Sequence, residues 1–331
     1  MIYGITMGDS SGVGPEIVLK AARAREITRP FVVYGDLAVL RRANEQLGYG
    51  LTVEAVAHPR DARADVVGVI DHGMVGADEV RPGQISERSG RAARMYVESA
   101  TRAALAREIA AVVTLPINKE ATRLSTPDFT GHTELIAEMC GVPDVTIMLV
   151  SPKLIVTHVS THCSLREAIE RTKRARVLRI IELTCDAVSR LRRAPRIAVA
   201  GLNPHAGEHG SFGREEIEEI EPAVADAQAK GLPVEGPLPP DTVFYMAVAR
   251  GRFDAVVCMY HDQGHIPSKL LDFEGGVNMA LGLPILRTSV DHGTAFDIAW
   301  KGTASTVSLV AAFDLAVALS EGSAATTNVR Q

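Results

Sequence analysis

Short β-branched runs alternate along this chain with stretches whose apolar residues recur every three or four positions. Ile2 to Thr6, Phe31 to Tyr34, Val66 to Ile70, Ala110 to Leu115, Val145 to Val150, Lys153 to His158, Ile197 to Gly201 and Ala255 to Met259 read as strands. Leu37 to Leu47, Gly90 to Arg107, Leu165 to Leu191, Glu215 to Lys230 and Ala304 to Leu319 have the helical spacing. This alternation predicts an α/β architecture of parallel strands with crossover helices. One antiparallel pair is expected where only Ser151-Pro152 separates two strand runs. No repeat, low-complexity tract or long linker breaks the pattern, so a domain boundary is expected to be a cleft crossed by strands or helices.

Composition narrows the class. A length of 331 residues points to about two domains. With 46% hydrophobic and 23% charged residues the chain reads as a soluble globular protein. Its longest apolar runs fall short of the ~20 residues that span a bilayer, so no membrane helix is expected. The N-terminus enters a strand-like run with no basic segment before it, unlike a secretory signal, and the cytoplasm is the expected location. A net charge of -5 argues against a nucleic-acid partner. The cluster Arg190, Arg192, Arg193 and Arg196 ends a predicted helix, where cations complement the helix dipole. Cys140, Cys163, Cys185 and Cys258 show no CxxC spacing and are expected to be reduced thiols.

Candidate chemistry begins at Gly8-Asp9-Ser10-Ser11-Gly12-Val13-Gly14-Pro15-Glu16, after the first strand, with Pro15 suited to the first turn of a helix. It is neither a Walker A loop nor the Gly-x-Gly-x-x-Gly fingerprint, and it can be a tight turn or an anion site. Pro116-Ile117-Asn118-Lys119-Glu120 and Phe129-Thr130-Gly131-His132-Thr133-Glu134 follow the strand Ala110 to Leu115, where α/β proteins place ligands. Thr133 can cap a helix starting at Glu134 or bind phosphate. Lys119 and His132 can be solvated loop residues or ligands.

His162, His205 and His261 each follow a strand run and sit among Thr, Asn, Gly or Asp, a setting that suits a polar cleft. Neutral imidazole is a common ligand for divalent metals, and three protein ligands leave positions open for water or substrate. Sequence separation leaves open whether the three converge, and any one of them can be a structural histidine; His158, at the end of an apolar strand, reads as structural. Further along, Lys269, Asn278 and Arg287 supply an ammonium, an amide and a guanidinium, suited to phosphate and carboxylate groups or to surface salt bridges. Asp297 can accept from a ribose hydroxyl or cap a helix.

Gly201-Leu202-Asn203-Pro204-His205-Ala206-Gly207-Glu208, Tyr260-His261-Asp262-Gln263-Gly264 and Arg287-Thr288-Ser289-Val290-Asp291-His292-Gly293-Thr294-Ala295 resemble the hallmark motifs of 4-hydroxythreonine-4-phosphate dehydrogenases. The resemblance covers nearly the whole chain and includes the branch that oxidises 4-phospho-D-threonate or 4-phospho-D-erythronate. It implies two α/β domains around a cleft, isocitrate/isopropylmalate-dehydrogenase-like. Residues 1–124 with 279–331 would form the first domain, and 125–278 the second, carrying dimer contacts and the metal site. It also implies a homodimer with the active site at the subunit interface. His162, His205 and His261 match the family's metal ligands, and His132, Thr133, Lys269, Asn278 and Arg287 its substrate-binding positions. Gly293, Thr294, Ala295 and Asp297 are similar to the adenosine-side loop of the superfamily, so NAD is implied without a Rossmann fingerprint.

Two departures stand out: Ser10-Ser11 replaces the commoner Pro-Ala, and Gly264-His265-Ile266-Pro267 and Asp297-Ile298-Ala299-Trp300 look more like the phosphothreonate branch than the pyridoxine-synthesis branch. The implied reaction is oxidation of a 4-phosphorylated 3-hydroxy acid with decarboxylation, with a metal at the substrate hydroxyl, hydride transfer to NAD, and Lys119 and His132 as catalytic candidates. Zinc, cobalt and magnesium all remain open as the metal. The rival readings are a phosphate acetyltransferase-like enzyme, a non-catalytic metal-dependent dimer and an aromatic cis-dihydrodiol dehydrogenase.

Overall fold

Burial on both faces explains why the first strand is an unbroken run and not an alternating one. All four residues of β1 (Tyr3–Thr6) are buried. A computed structural model describes residues 1–273 and 275–322 of the chain. Two units emerge, unit 1 from Met1–Asp144 with Leu283–Ser320 and unit 2 built on Val145–Gly282.

Unit 1 continues from β1 with α1 (Gly14–Arg23), β2 (Phe31–Gly35), α2 (Leu37–Gln46), β3 (Val53–Ala55), β4 (Val67–Asp71), α3 (Glu87–Leu105), β5 (Val112–Thr114), α4 (Lys119–Ser125) and α5 (His132–Met139). Unit 2 holds β6 (Thr146–Val150), β7 (Ile155–His158), α6 (Leu165–Arg171), α7 (Arg174–Leu191), β8 (Ile197–Ala200), α8 (Glu221–Ala229), β9 (Val234–Leu238), α9 (Val243–Val248), β10 (Ala255–Cys258), α10 (His261–Leu271) and β11 (Val277–Leu281). The chain then returns to unit 1 with β12 (Arg287–Val290) and α11 (Val307–Glu321).

In unit 1 the strand order is β3-β4-β2-β1-β5-β12 and every pair is parallel. The chain leaves β1 toward β2 on one side, while β5 lies on the other, which makes β1/β5 the topological switch point where such sheets bind ligands. Phe313 of α11 closes this core against Tyr3, with ring centroids 5.0 Å apart, and Phe31 at 6.5 Å. Lys20 of α1 donates to the carbonyls of Gly302 and Ala304 at 3.2 and 2.7 Å, and the buried Glu16 Oε1 accepts from Ala304 N at 2.8 Å.

In unit 2 the order is β11-β6-β7-β10-β8-β9. The expected hairpin is present: β6 pairs antiparallel with β7, and Ser151 N donates to Leu154 O at 3.0 Å. β11 adds a second antiparallel pairing with β6, while β7, β10, β8 and β9 run parallel. Ile147, Leu149, Val156, Ala198, Val256 and Phe253 form the core on one side. Val177, Ile180, Ile181 and Val188 of α7 are buried.

Several expectations shift. The helix anticipated over 165–191 breaks at Thr172 and Lys173, where Thr172 Oγ1 donates back to Ala168 O at 3.0 Å and competes with the helical ladder. The resemblance puts the domain boundaries after residues 124 and 278; by its contacts the chain passes between the two units after Asp144 and Gly282. Burial explains this: Phe129, Leu135 and Ile136 share a core with Val97 of α3, holding residues 125–144 in unit 1. All four cysteines are free thiols. Among the described residues no helix is long and apolar enough to cross a membrane.

Phe313 is fully buried against two aromatic rings. Phe313→Ala is expected to cost about 3–5 kcal/mol and to lower the denaturant midpoint of unit 1. An unchanged midpoint would mean that α11 does not close this core.

Candidate active site

The turn after β1 is forced by backbone contact. Gly8 has φ +72°, and a Cβ on it would lie 2.4 Å from the Pro116 carbonyl oxygen. A Cβ on Gly14 would lie 2.1 Å from the Met7 carbonyl oxygen. Only glycine permits this approach, which joins the turn to the loop after β5 through the bond from Asp9 N to Pro116 O at 2.9 Å. Asp9 is fully buried, and its Oδ1 accepts from Ser11 N at 2.8 Å while Oδ2 has no partner. Burial pushes its carboxyl up to about 6, against the lowering effect of the Ser11 N–H.

Beyond β5, Asn118 caps α4 by accepting from Ala121 N at 2.9 Å, which places Lys119 at the helix start. α5 opens at His132 behind Gly131, so Thr133 is not a helix cap; its Oγ1 accepts from Arg287 Nη1 at 3.4 Å. Arg287 also donates from Nε and Nη2 to Thr114 Oγ1 at 3.1 and 2.8 Å. Burial lowers its guanidinium to about 10, with Glu134 pulling it back up, so it remains a cation at neutral pH and is no surface salt-bridge residue. A Cβ on Gly131 would lie 2.8 Å from Glu134 Oε2 and 3.7 Å from Lys119 Nζ.

His132 is the most perturbed group here. Burial, then the charges of Arg287 and Lys119, drives its pKa down to about 3, while a hydrogen bond to the Leu115 backbone opposes them. Nε2 is sealed from solvent with no partner. The bond to Leu115 therefore engages Nδ1, and the neutral ring presents an unshared pair at Nε2. A buried cation, an ammonium, a hydroxyl and an imidazole acceptor thus gather at the ends of β5 and β12.

Thr294 of the loop after β12 covers the glycine turn. Val13 N donates to Thr294 O at 3.0 Å, and a Cβ on Gly12 would lie 2.9 Å from the same oxygen. Ala295 has φ 42°, and Gly293 O lies 2.9 Å from His292 Nδ1. Asp297 caps no helix; its main-chain oxygen accepts from Lys301 Nζ at 2.6 Å.

In unit 2 the topology brings the three histidine segments to one sheet edge. His162 follows β7, His261 follows β10 and His205 follows β8, and these strands are parallel neighbours in the order β7-β10-β8. The His162 and His261 rings are 5.7 Å apart, whereas His205 packs on Phe212 at 6.1 Å. Among the described residues no three His, Cys, Asp or Glu side chains converge on a metal position within the chain. His261 Nδ1 is 2.7 Å from Asp262 Oδ1. Since a carboxylate only accepts, Nδ1 carries the hydrogen and Nε2 the unshared pair, the orientation usual for a metal-ligating imidazole.

His205 to His209 all have positive φ, between 40° and 77°. Glu216, fully buried, anchors this loop by accepting from Leu202 N and Asn203 N, each at 2.7 Å, and from Asn203 Nδ2 at 2.9 Å. Lys269 closes α10 with Nζ 5.3 Å from the Phe273 ring centroid, and Asn278 Oδ1 on β11 is buried without a partner. His158 is structural, as its apolar strand suggests, fully buried with Nδ1 3.3 Å from Ile147 O. Sequence reasoning passed over Thr114, Asp262 and Glu216; the adjacency of Asp262 to His261 was the one available signal.

An α/β sheet with ligand-type groups at a switch point, and histidines on one strand edge, defines an enzyme-type α/β fold. The chain belongs to the family of the pyridoxal phosphate biosynthetic protein PdxA, whose pattern matches residues 26–316. It is 47% identical to a D-threonate 4-phosphate dehydrogenase of Cupriavidus necator, over 94% of this chain and 95% of that one. It is 44% identical to a 4-hydroxythreonine-4-phosphate dehydrogenase of Desulforapulum autotrophicum, over 95% and 94%. The crystal structure of a 4-hydroxythreonine-4-phosphate dehydrogenase from Klebsiella pneumoniae superimposes with a TM-score of 0.85 at 42% identity, covering 96% of this chain and 99% of that one. A beta-decarboxylating dehydrogenase from Thermococcus kodakarensis shares the fold alone, at a TM-score of 0.50 and 14% identity over 93% and 80% of the two chains.

The depressed His132 pKa sets a pH dependence. Between about 3 and the ordinary 6.5 the unfolded chain binds a proton that the folded one refuses. This contribution is fully present above 6.5 and is lost as pH falls toward 3, at up to about 1.4 kcal/mol per pH unit. Nitrogen-15 NMR should show His132 still neutral at about pH 5; an ordinary midpoint would mean the ring is hydrated.

Proposed function

We propose that the chain oxidises the secondary alcohol of a 4-phosphorylated 3-hydroxy acid with NAD and a divalent cation, and that decarboxylation follows. The candidate substrates are D-threonate 4-phosphate, its erythronate epimer and 4-hydroxythreonine-4-phosphate. The observation that carries this reading is the sealed, unpartnered Nε2 of His132 beside the charges of Arg287 and Lys119. Such a group is costly to bury without a ligand, and its neighbours select an anionic one. Family membership and relatives named as dehydrogenases support the oxidoreductase class.

In this reading Arg287 and Thr133 donate to anionic oxygens, the neutral His132 accepts at Nε2 from a substrate hydroxyl, and Lys269 and Asn278 are assigned to substrate groups as well. Gly293, Thr294, Ala295 and Asp297 are assigned to the adenosine side of NAD. His162, His205 and His261 are assigned to the metal, and a set divided between two subunits accords with the lack of a three-ligand cluster among the described residues of one chain. The chemistry a bound cation supplies is Lewis-acid stabilisation of developing charge on the substrate oxygen, and imidazole donors suit zinc or cobalt better than magnesium. Lys119, as its neutral amine, would take the hydroxyl proton, and bound NAD would supply the acceptor for the hydride leaving the carbon. The resulting β-keto acid then loses carbon dioxide, the bonding pair passes to the ketone as an enolate, and a proton returns to carbon. His132 Nε2 is the second acceptor within the unit 1 cluster.

Assembly as a homodimer belongs to the same proposal. Ile266 and Leu270 on one side of α10, and Phe273 just past its end, are 64%, 84% and 72% exposed, an apolar patch that a second copy would cover.

NADH formation followed by absorbance with each of the three substrates, with and without chelator, tests the reading. Chelator-sensitive turnover of one substrate is expected. Silence on all three with NAD and metal bound would favour an aromatic cis-dihydrodiol. Absence of NAD binding would end the dehydrogenase assignment, and acyl-phosphate formation from an acyl thioester would replace it with the acetyltransferase. Lys119→Ala is expected to lower kcat by about 100-fold or more; unchanged turnover would remove Lys119 from proton transfer.

A further inference from the structure

The ring of His261 does not stand alone. His265, one helical turn further along α10, stacks on it with centroids 3.6 Å apart and planes 10° from parallel. His265 Nδ1 lies 3.0 Å from the His261 carbonyl oxygen and 3.2 Å from His158 Nε2. His158 in turn places Nδ1 3.3 Å from the carbonyl of Ile147 on β6. Carbonyl oxygens only accept, so both Nδ1 atoms carry hydrogen, and His158 Nε2 accepts from His265. One tautomer at each ring satisfies these three contacts. Gly264 makes this possible, because a Cβ there would lie 2.5 Å from His158 Nε2 and 3.0 Å from Cys258 Sγ.

We propose that His158 and His265 form a brace that fixes the ring orientation of His261, and that His265 is a positioning residue for the metal site. His158 is fully buried and tied to the sheet, so it gives His265 a rigid backing. His265 is buried too, and its ring face blocks rotation of His261 to one side. Asp262 Oδ1, at 2.7 Å from His261 Nδ1, fixes the remaining freedom. Ring, carboxylate and buried histidine together hold a donor whose direction decides the affinity of a divalent cation.

The inference rests on the metal assignment made above, and cobalt binding by calorimetry and visible absorption separates the two. His261→Ala should abolish binding; if it does not, the metal assignment itself is wrong. His265→Ala should weaken cobalt binding by about 10- to 100-fold and alter the visible bands that report ligand geometry, with little change in melting temperature. His265→Phe, which keeps a ring face, should recover most of the affinity. Unchanged affinity and bands in His265→Ala, alongside loss in His261→Ala, would overturn the brace. A second measurement needs no variant: nitrogen-15 NMR of the metal-free protein should find both His158 and His265 protonated at Nδ1. A hydrogen on Nε2 of either ring would equally overturn the proposal.

Discussion

Close backbone approach at the end of β1 is the constraint on which unit 1 depends. Oxygens of Met7 and Pro116 occupy the places that side chains at positions 14 and 8 would need, and the loop after β12 lies on Gly12 in the same manner. Three chain segments can therefore meet at the switch point without side chains to keep them apart. Short backbone hydrogen bonds replace the packing that would otherwise hold them. The cluster around His132 follows, because the loop after β5 leads directly to it.

Polar burial here is selective. Glu216 satisfies three donors and makes a loop of left-handed residues rigid, so its burial is compensated within the fold. His132 Nε2, Asp9 Oδ2 and Asn278 Oδ1 are buried with nothing to bond. Fully satisfied groups shape the scaffold, whereas in the proposed reading a ligand completes the bonding of His132 and Asn278, two of several buried atoms without a partner. The same contrast separates His158, bonded on both ring nitrogens, from His132, bonded on one.

Much of this was legible in the sequence. The apolar runs gave β1, β2, β4, β5, β6, β7, β8 and β10, and the two-residue Ser151-Pro152 link gave the hairpin, because buried strands leave a strong local signal. β3 carries Glu54 and β12 carries Arg287, Thr288 and Ser289, so neither offers an apolar run to read. β11 was missed because Asn278 breaks its apolar run, and that same residue carries a proposed substrate contact. For the candidate site, motif order pointed to Arg287 and the three histidines, yet the two hydrogen bonds from Arg287 to Thr114 join residues 173 apart and no local pattern reports them. Of the two readings open for Thr133 the helix cap falls away, since its hydroxyl faces a distant guanidinium and not the start of its own helix.

The interleaved course of the chain bears on how it is made. Unit 2 is built on one unbroken stretch, Val145–Gly282, whereas unit 1 needs both the first 144 residues and Leu283–Ser320. During synthesis the later unit can close its core first, while the earlier one waits for the strand that carries Arg287 and for Phe313 to cover Tyr3. Until then the outer side of β5 has no parallel partner, and the apolar surface meant for α11 stands open. The ribosome thus releases the two halves in an order opposite to the one in which it writes their beginnings, and the interval between them is the period when the nascent chain most needs shielding from its neighbours.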